Sequence, residues 1–128
     1  MTTKYIPPKG LNDFKRIPQE WEEHKAFMEW ALLHPVVKKY IFKIDNEGQR
    51  KTLKRSLITG GIRKGVSDFF LPYPHNGKHG LWIEMKSRKG RPSPEQLEWI
   101  DKMRALDYVA ELANSANKAI EITERYLQ

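Results

Sequence analysis

The chain has 128 residues, of which 39% are hydrophobic and 11% aromatic, so it can form one folded domain with a single core. The formal net charge of +7 favours an anionic partner such as nucleic acid, although a generally basic, solvated surface is the alternative. The chain has no cysteine, which excludes disulfides, zinc–thiolate sites and thiol nucleophiles. It also has no apolar stretch of membrane-spanning length and no apolar leader, so we expect a cytoplasmic protein without a membrane partner.

The first half of the sequence predicts an arm followed by a helix and a strand. Residues 1–17 are rich in Lys, Pro and Gly and are interpreted as an N-terminal arm, with one domain over residues 18–128. A helix is predicted to begin near Pro18, which a first helical turn tolerates, and to end at Pro35. Helical spacing predicts its anchors as Trp21, Lys25, Met28 and Leu32, with Phe27 and Ala31 beside them. A strand over residues 36–44, a turn over 45–48 and a short basic helix over 49–59 follow.

The second half predicts three strands and two helices. Strands are expected over residues 68–71, 81–87 and 108–112. Ser93 followed by Pro94 is typical of a helix start, and a last helix is expected from about Ser115. The predicted buried positions of these two helices are Leu97, Ile100, Met103 and Leu106, and then Ala119, Ile122, Tyr126 and Leu127. A mixed sheet with helices packed on it accommodates this order.

The strand over residues 81–87 carries charge on one face only. Side chains two apart in a strand point the same way, so Trp82, Glu84 and Lys86 share the face opposite the apolar positions. If this strand pairs with the one that Asp68 opens, two carboxylates and a lysine converge at one edge of the sheet. Carboxylate oxygens suit Mg²⁺ or Mn²⁺, and such a site suits hydrolysis of a phosphodiester.

The ordered set of Asp68 and Glu84-x-Lys86, after a helix that carries Glu20, resembles the PD-(D/E)xK nuclease superfamily. More narrowly, it is similar to the stand-alone virus-type replication-repair nuclease domain, VRR-NUC. The matching segments are residues 19–24, 45–50, 65–72, 83–86 and 93–96. The chain departs from the pattern at Ser67, where the superfamily has proline, and at His24, where this family often has glutamine. The resemblance implies an α/β, restriction-endonuclease-like fold, in which helices flank a mixed central sheet with an αβββαβ core.

The resemblance also implies roles for individual residues. Asp68 and Glu84 would hold a divalent metal ion, Mg²⁺ or Mn²⁺, together with the main-chain carbonyl of Met85. Glu20 would reach the ion through water, and Glu23, one turn on, is the alternative for that role. Lys86 would orient the attacking water or stabilise developing negative charge, and Gln96 would orient Lys86 or the water. The four histidines show no metal-ligand spacing and are interpreted as structural or surface residues.

The resemblance further implies a bacterial or phage-encoded homodimer that cuts branched DNA, especially four-way (Holliday) junctions. A flap, restriction-like or exonucleolytic nuclease of the same superfamily is one alternative, and a non-catalytic DNA-binding module is the other. Trp30, Tyr73 and Trp99 are candidates either for a dimer surface or for the core. Basic and polar residues before and beside the acidic set are expected to bind DNA phosphates: Asn46, Arg50, Lys51, Lys54, Arg55, Arg63, Lys64 and Arg88.

Overall fold

A four-stranded mixed sheet organises the molecule. The computed structural model describes residues 19–45, 60–87 and 89–128. Within them the sheet order is β1-β2-β3-β4, with β1–β2 and β2–β3 antiparallel and β3–β4 parallel. The expected mixed α/β architecture is therefore confirmed. The strands are β1 (Phe42–Lys43), β2 (Phe69–Leu71), β3 (Leu81–Met85) and β4 (Val109–Ala113).

Four helices of the described chain connect and cover these strands: α1 (Glu20–Ala31), α2 (Val37–Tyr40), α3 (Pro94–Ala105) and α4 (Ala116–Tyr126). Helix α3 is the crossover that returns the chain from β3 to the parallel strand β4. The predicted cap at Ser93 is confirmed, because its side chain accepts a hydrogen bond from Gln96 N while Gln96 caps Ser93 N in return. Ser115 caps α4 through Lys118 N.

Hydrophobic residues cover both faces of the sheet. On one face, α1 and α4 enclose the larger core, which includes Phe27, Phe69, Ile83 and Ile120. On the other face, α3 packs Ile100 and Met103 against β4, with Trp82 and Trp99 beside them. Trp30, Tyr73 and Trp99 are partly buried and pack against these clusters, and their place in a dimer surface stays a prediction. No helix among the described residues is long and apolar enough to cross a membrane.

The predicted strand over residues 36–44 was wrong in its first half. Residues 37–40 form the helical turn α2, and only Phe42 and Lys43 pair with β2. The ring of His34 accepts hydrogen bonds at Nδ1 from the main-chain N–H groups of Val36 and Val37, at 3.1 and 3.2 Å. This local cap satisfies donors that a strand would leave to a neighbour, so it favours the helical turn over the strand.

The predicted buried positions of two helices also need correction. Trp21 and Lys25 in α1 and Leu32 at its C-cap are exposed, and the buried residues of α1 are His24, Ala26, Phe27 and Ala31. Leu97 in α3 and Leu106 at its C-cap are exposed, and Ile100 and Met103 are the two predicted positions that are buried. The α4 anchors Ala119, Ile122 and Tyr126 are confirmed as buried. The predicted arm, the turn after Asp45 and the basic helix over residues 49–59 lie outside the described residues.

Candidate metal centre and active site

Asp68 directly precedes β2 and lies beside the end of β3. Its Oδ2 accepts a hydrogen bond from the main-chain N–H of Met85 at 2.8 Å. The antiparallel register pairs Phe69 with Ile83, so the next pair outward sets Asp68 opposite Glu84. The predicted convergence of the two acids thus follows from strand pairing, because opposed residues of antiparallel strands lie on one face.

Glu84 is buried, although an acid on the polar face of a half-exposed strand would be solvated. The residue is 1% exposed, and among the described residues no N–H or hydroxyl group donates a hydrogen bond to either carboxylate oxygen. Burial, followed by the hydrogen bond and the charge that Asp68 contributes, raises the pKa of Glu84 from 4.5 to about 10. The positive charge of Lys86 lowers that pKa, and the negative charge of Glu20 raises it by a smaller amount. Without a cation, this carboxyl group therefore holds its proton at neutral pH.

A divalent metal ion fits this arrangement. Burying a carboxylate that accepts no hydrogen bond from an N–H or hydroxyl group costs folding free energy, and a cation supplies the missing positive partner. Asp68 and Glu84 offer hard oxygen ligands, which Mg²⁺ and Mn²⁺ prefer. Asp68 is already oriented by the N–H group of Met85, in the manner of hydrogen bonds that fix metal ligands. The predicted carbonyl ligand from Met85 and the choice of ion stay predictions.

Helix α1 brings two side chains to the same place. Glu20 and His24 are four residues apart and share one face of the helix. The Nε2 atom of His24 lies 3.7 Å from Glu20 Oε1 and 3.6 Å from Asp68 Oδ2. Glu20, His24 and Asp68 each offer one ligand atom, and these three atoms lie within 4.8 Å of one another. His24 was interpreted as a structural or surface residue, and its spacing of four from Glu20 is the sequence signal for this position beside the acids.

Glu23, the alternative to Glu20, has a different partner. Its Oε2 accepts a short hydrogen bond from the main-chain N–H of Ala116, the first residue of α4. A carboxylate at a helix N-terminus satisfies a free N–H group and is favoured by the helix dipole. The structure therefore gives Glu23 a role in joining α1 to α4, and Glu20 is the acid of α1 that faces Asp68.

Lys86 directly follows β3, and Gln96 lies in the first turn of α3. Lys86 is half-buried, and its main-chain N–H donates to Ala113 O, which fixes the end of the strand. Gln96 uses its Oε1 in the cap of α3, so its Nε2 is the atom left for other contacts. Gly65, at φ +92°, lies so close to the main chain of Glu95 that a Cβ would approach its carbonyl oxygen to 2.6 Å. This packing holds the start of α3 beside the loop that leads to Asp68.

The predicted DNA-binding residues are only partly visible in the described structure. Asn46, Arg50, Lys51, Lys54, Arg55 and Arg88 lie outside the described residues. Arg63 is exposed, and Lys64 forms an ion pair with Glu95 at 3.6 Å. Both residues lie on the loop that leads to Asp68. Exposed ion pairs contribute little free energy, so Lys64 can release Glu95 and bind a phosphate instead.

Comparisons with known proteins found one matching family and a similar solved structure. A sequence profile of the VRR-NUC domain matches residues 14–117. A solved structure described as a VRR_NUC domain protein superposes with a TM-score of 0.73 at 22% identity, covering 87% of this chain and 89% of that chain. At this identity the likeness concerns the fold alone. A search of the curated proteins found no match.

Proposed function

The chain belongs to the VRR-NUC family, which implies a nuclease of the PD-(D/E)xK type, and we propose that it is a divalent-metal-dependent endonuclease acting on branched DNA. The observation that carries this proposal is the buried carboxylate of Glu84. It lies beside Asp68, and no N–H or hydroxyl group of the described residues donates a hydrogen bond to it. A module that only bound DNA would gain nothing from two acids near its phosphate path, because they repel phosphate unless a cation intervenes.

The proposed reaction assigns a distinct task to each side chain. Asp68 and Glu84 would hold the metal ion, the carbonyl of Met85 would add a third ligand, and Glu20 would act through a water molecule. When bound, the ion polarises the scissile phosphate and lowers the pKa of the attacking water. Lys86 orients that water and offsets the charge that develops on the phosphate oxygens. Gln96, through its Nε2, positions Lys86 or the water.

Branched DNA is proposed as the substrate because a four-way junction must be cut on two strands related by an approximate two-fold axis. A homodimer supplies two sites with matching symmetry. The basic charge of the chain supports phosphate binding without a preference for sequence. We place this activity in the cytoplasm of a bacterial cell, as a host or phage protein. A flap-cutting monomer is the alternative within the same chemistry.

The direct test is cleavage of labelled linear duplex, flap, fork and four-way junction DNA in the presence of Mg²⁺, Mn²⁺ or EDTA. We expect cleavage with either metal, none in EDTA, and the highest rate on the four-way junction. Cleavage that persists in EDTA would contradict the two-carboxylate site. Cleavage of flaps in preference to junctions, by a protein that light scattering shows to be a monomer, would move it to the alternative substrate class.

The raised pKa of Glu84 predicts how stability depends on pH. The folded protein binds the proton of Glu84 more tightly than the unfolded chain does. This proton therefore contributes fully to the free energy of unfolding below about pH 4.5, and its contribution is lost as the pH rises towards about 10. A bound metal replaces the proton, so we expect Mn²⁺ to raise the Tm more at about pH 8 than at about pH 6. Calorimetry of the wild type and of Glu84→Gln measures this effect. The variant has no such proton to lose, and a wild type with the same pH profile as the variant would contradict the assignment.

A further inference from the structure

The position of His24 points beyond a site made only of oxygen ligands. We propose that the Nε2 atom of His24 is a direct ligand of the metal ion, so that the centre is a mixed nitrogen–oxygen site that prefers Mn²⁺ to Mg²⁺. This inference rests on the proposed function, because it concerns the same ion. It adds a ligand from α1 to the pair on β2 and β3, and it gives the site a metal preference.

The distances support one shared ion. Metal–ligand bonds of about 2.0–2.2 Å set neighbouring ligand atoms about 3 Å apart and opposite ones about 4.3 Å apart. The separations of His24 Nε2 from Asp68 Oδ2 and Glu20 Oε1 are 3.6 and 3.7 Å, between these two values. The three atoms lie within 4.8 Å of one another, so small side-chain adjustments bring His24 and Asp68 onto one ion that Glu20 reaches through a water molecule.

The burial of the neighbouring groups is an independent indication of a cation. Glu84 is 1% exposed, and no N–H or hydroxyl group of the described residues donates a hydrogen bond to it. Its carboxyl group interacts electrostatically with both Asp68 and Glu20. The negative charges of these acids raise the free energy of the ionised site, and a bound cation would offset them.

The ring of His24 is held in place by its surroundings. The side chain is 8% exposed, and its ring lies 5.0 Å from the ring of Phe69, the residue that follows Asp68. A ligand whose ring is fixed by packing binds a metal without losing much side-chain freedom. Glutamine at this position would offer an amide oxygen instead, so the histidine changes the ligand chemistry and not the position of the ligand.

The preference follows from the ligand types. Mg²⁺ favours oxygen and keeps its water shell, whereas Mn²⁺ and the later divalent metals accept an imidazole nitrogen readily. A site with His24 as a ligand is therefore expected to bind Mn²⁺ more tightly than Mg²⁺. His24→Gln is expected to reduce that preference by at least about tenfold, chiefly through weaker binding of Mn²⁺.

Two measurements on the intact protein test this inference. The first is calorimetric titration of the wild type, His24→Gln and His79→Gln with Mn²⁺ and with Mg²⁺. His79 is a matched control, because it is an exposed histidine next to the opposite end of β3. The second is electron spin-echo spectroscopy of Mn²⁺ bound to the wild type, which detects a directly bonded imidazole nitrogen and does not depend on any variant folding.

We expect a nitrogen signal in the wild type, loss of the Mn²⁺ preference in His24→Gln, and wild-type behaviour in His79→Gln. A wild type that binds Mn²⁺ and cleaves DNA, but gives no nitrogen signal, would overturn the inference and leave the proposed function intact. An unchanged Mn²⁺ preference in folded His24→Gln would do the same. If the wild type bound neither metal, the proposed function would fail together with the inference.

Discussion

Replacing Asp68 with asparagine is expected to reduce cleavage by more than about a thousandfold while leaving DNA affinity unchanged or higher. The amide retains an oxygen that can accept the hydrogen bond from Met85 N, so the link between β2 and β3 survives. The charge that binds the ion is lost, and one misplaced electrostatic group already costs about 10²–10³ in rate. Affinity is retained because the substitution removes negative charge from the phosphate path.

Single-turnover cleavage, with DNA binding measured in parallel, checks this prediction. Asp101→Asn is a matched control, because Asp101 is an exposed acid on α3 and its loss changes the net charge equally. We expect the control to cleave at the wild-type rate. If folded Asp68→Asn kept a rate within about tenfold of the wild type, Asp68 would not be a metal ligand, and the proposed site would have to be abandoned.

Replacing Lys86 with methionine is expected to lower the cleavage rate by about 10²–10³, even when the metal is saturating. Methionine retains an apolar stem of similar length and removes only the charged head. The same substitution should weaken metal binding, because the charge of Lys86 is what lowers the pKa of Glu84. Glu84 would then hold its proton against the metal more strongly.

Rates measured over a range of Mn²⁺ concentrations separate these two effects. The affinity loss shifts the concentration needed for half-maximal activity, whereas the loss of charge stabilisation lowers the plateau. Lys89→Met serves as the control, since Lys89 is an exposed lysine three residues further along the chain. A plateau rate equal to that of the wild type would mean that Lys86 only lowers the pKa of Glu84 and does not take part in phosphodiester cleavage.

The sequence by itself determined which acids of the two strands meet. Strand alternation placed Glu84 and Lys86 on one face, and the short distance to the next strand made pairing with the Asp68 segment the natural arrangement. It also determined the starts of α3 and α4, because Ser93 and Ser115 form their caps with residues no more than three positions away. Interactions this local do not depend on the rest of the fold.

Periodicity could not decide which side of a helix is buried when apolar residues lie on more than one side. In α1, Trp21 and Leu32 share helical spacing, yet Phe27 and Ala31 are the residues that meet the sheet. The same ambiguity separated Glu20 from Glu23. Glu20 lies beside Asp68, whereas Glu23 caps Ala116, a residue 93 positions away. Only the docking of α1 on the sheet and α4 resolves these choices.

The chemistry of the site depended most on tertiary structure. A strand pattern that alternates apolar and charged residues predicts a solvated polar face, yet cover on both faces of β3 leaves Glu84 1% exposed. Burial next to Asp68 turns an ordinary carboxylate into one that holds a proton until a cation replaces it. His24 joins the acids for the same reason, because the inward side of α1 faces the start of β2. The sequence therefore determined the residue types and their order, whereas desolvation and long-range packing decided what those residues can do.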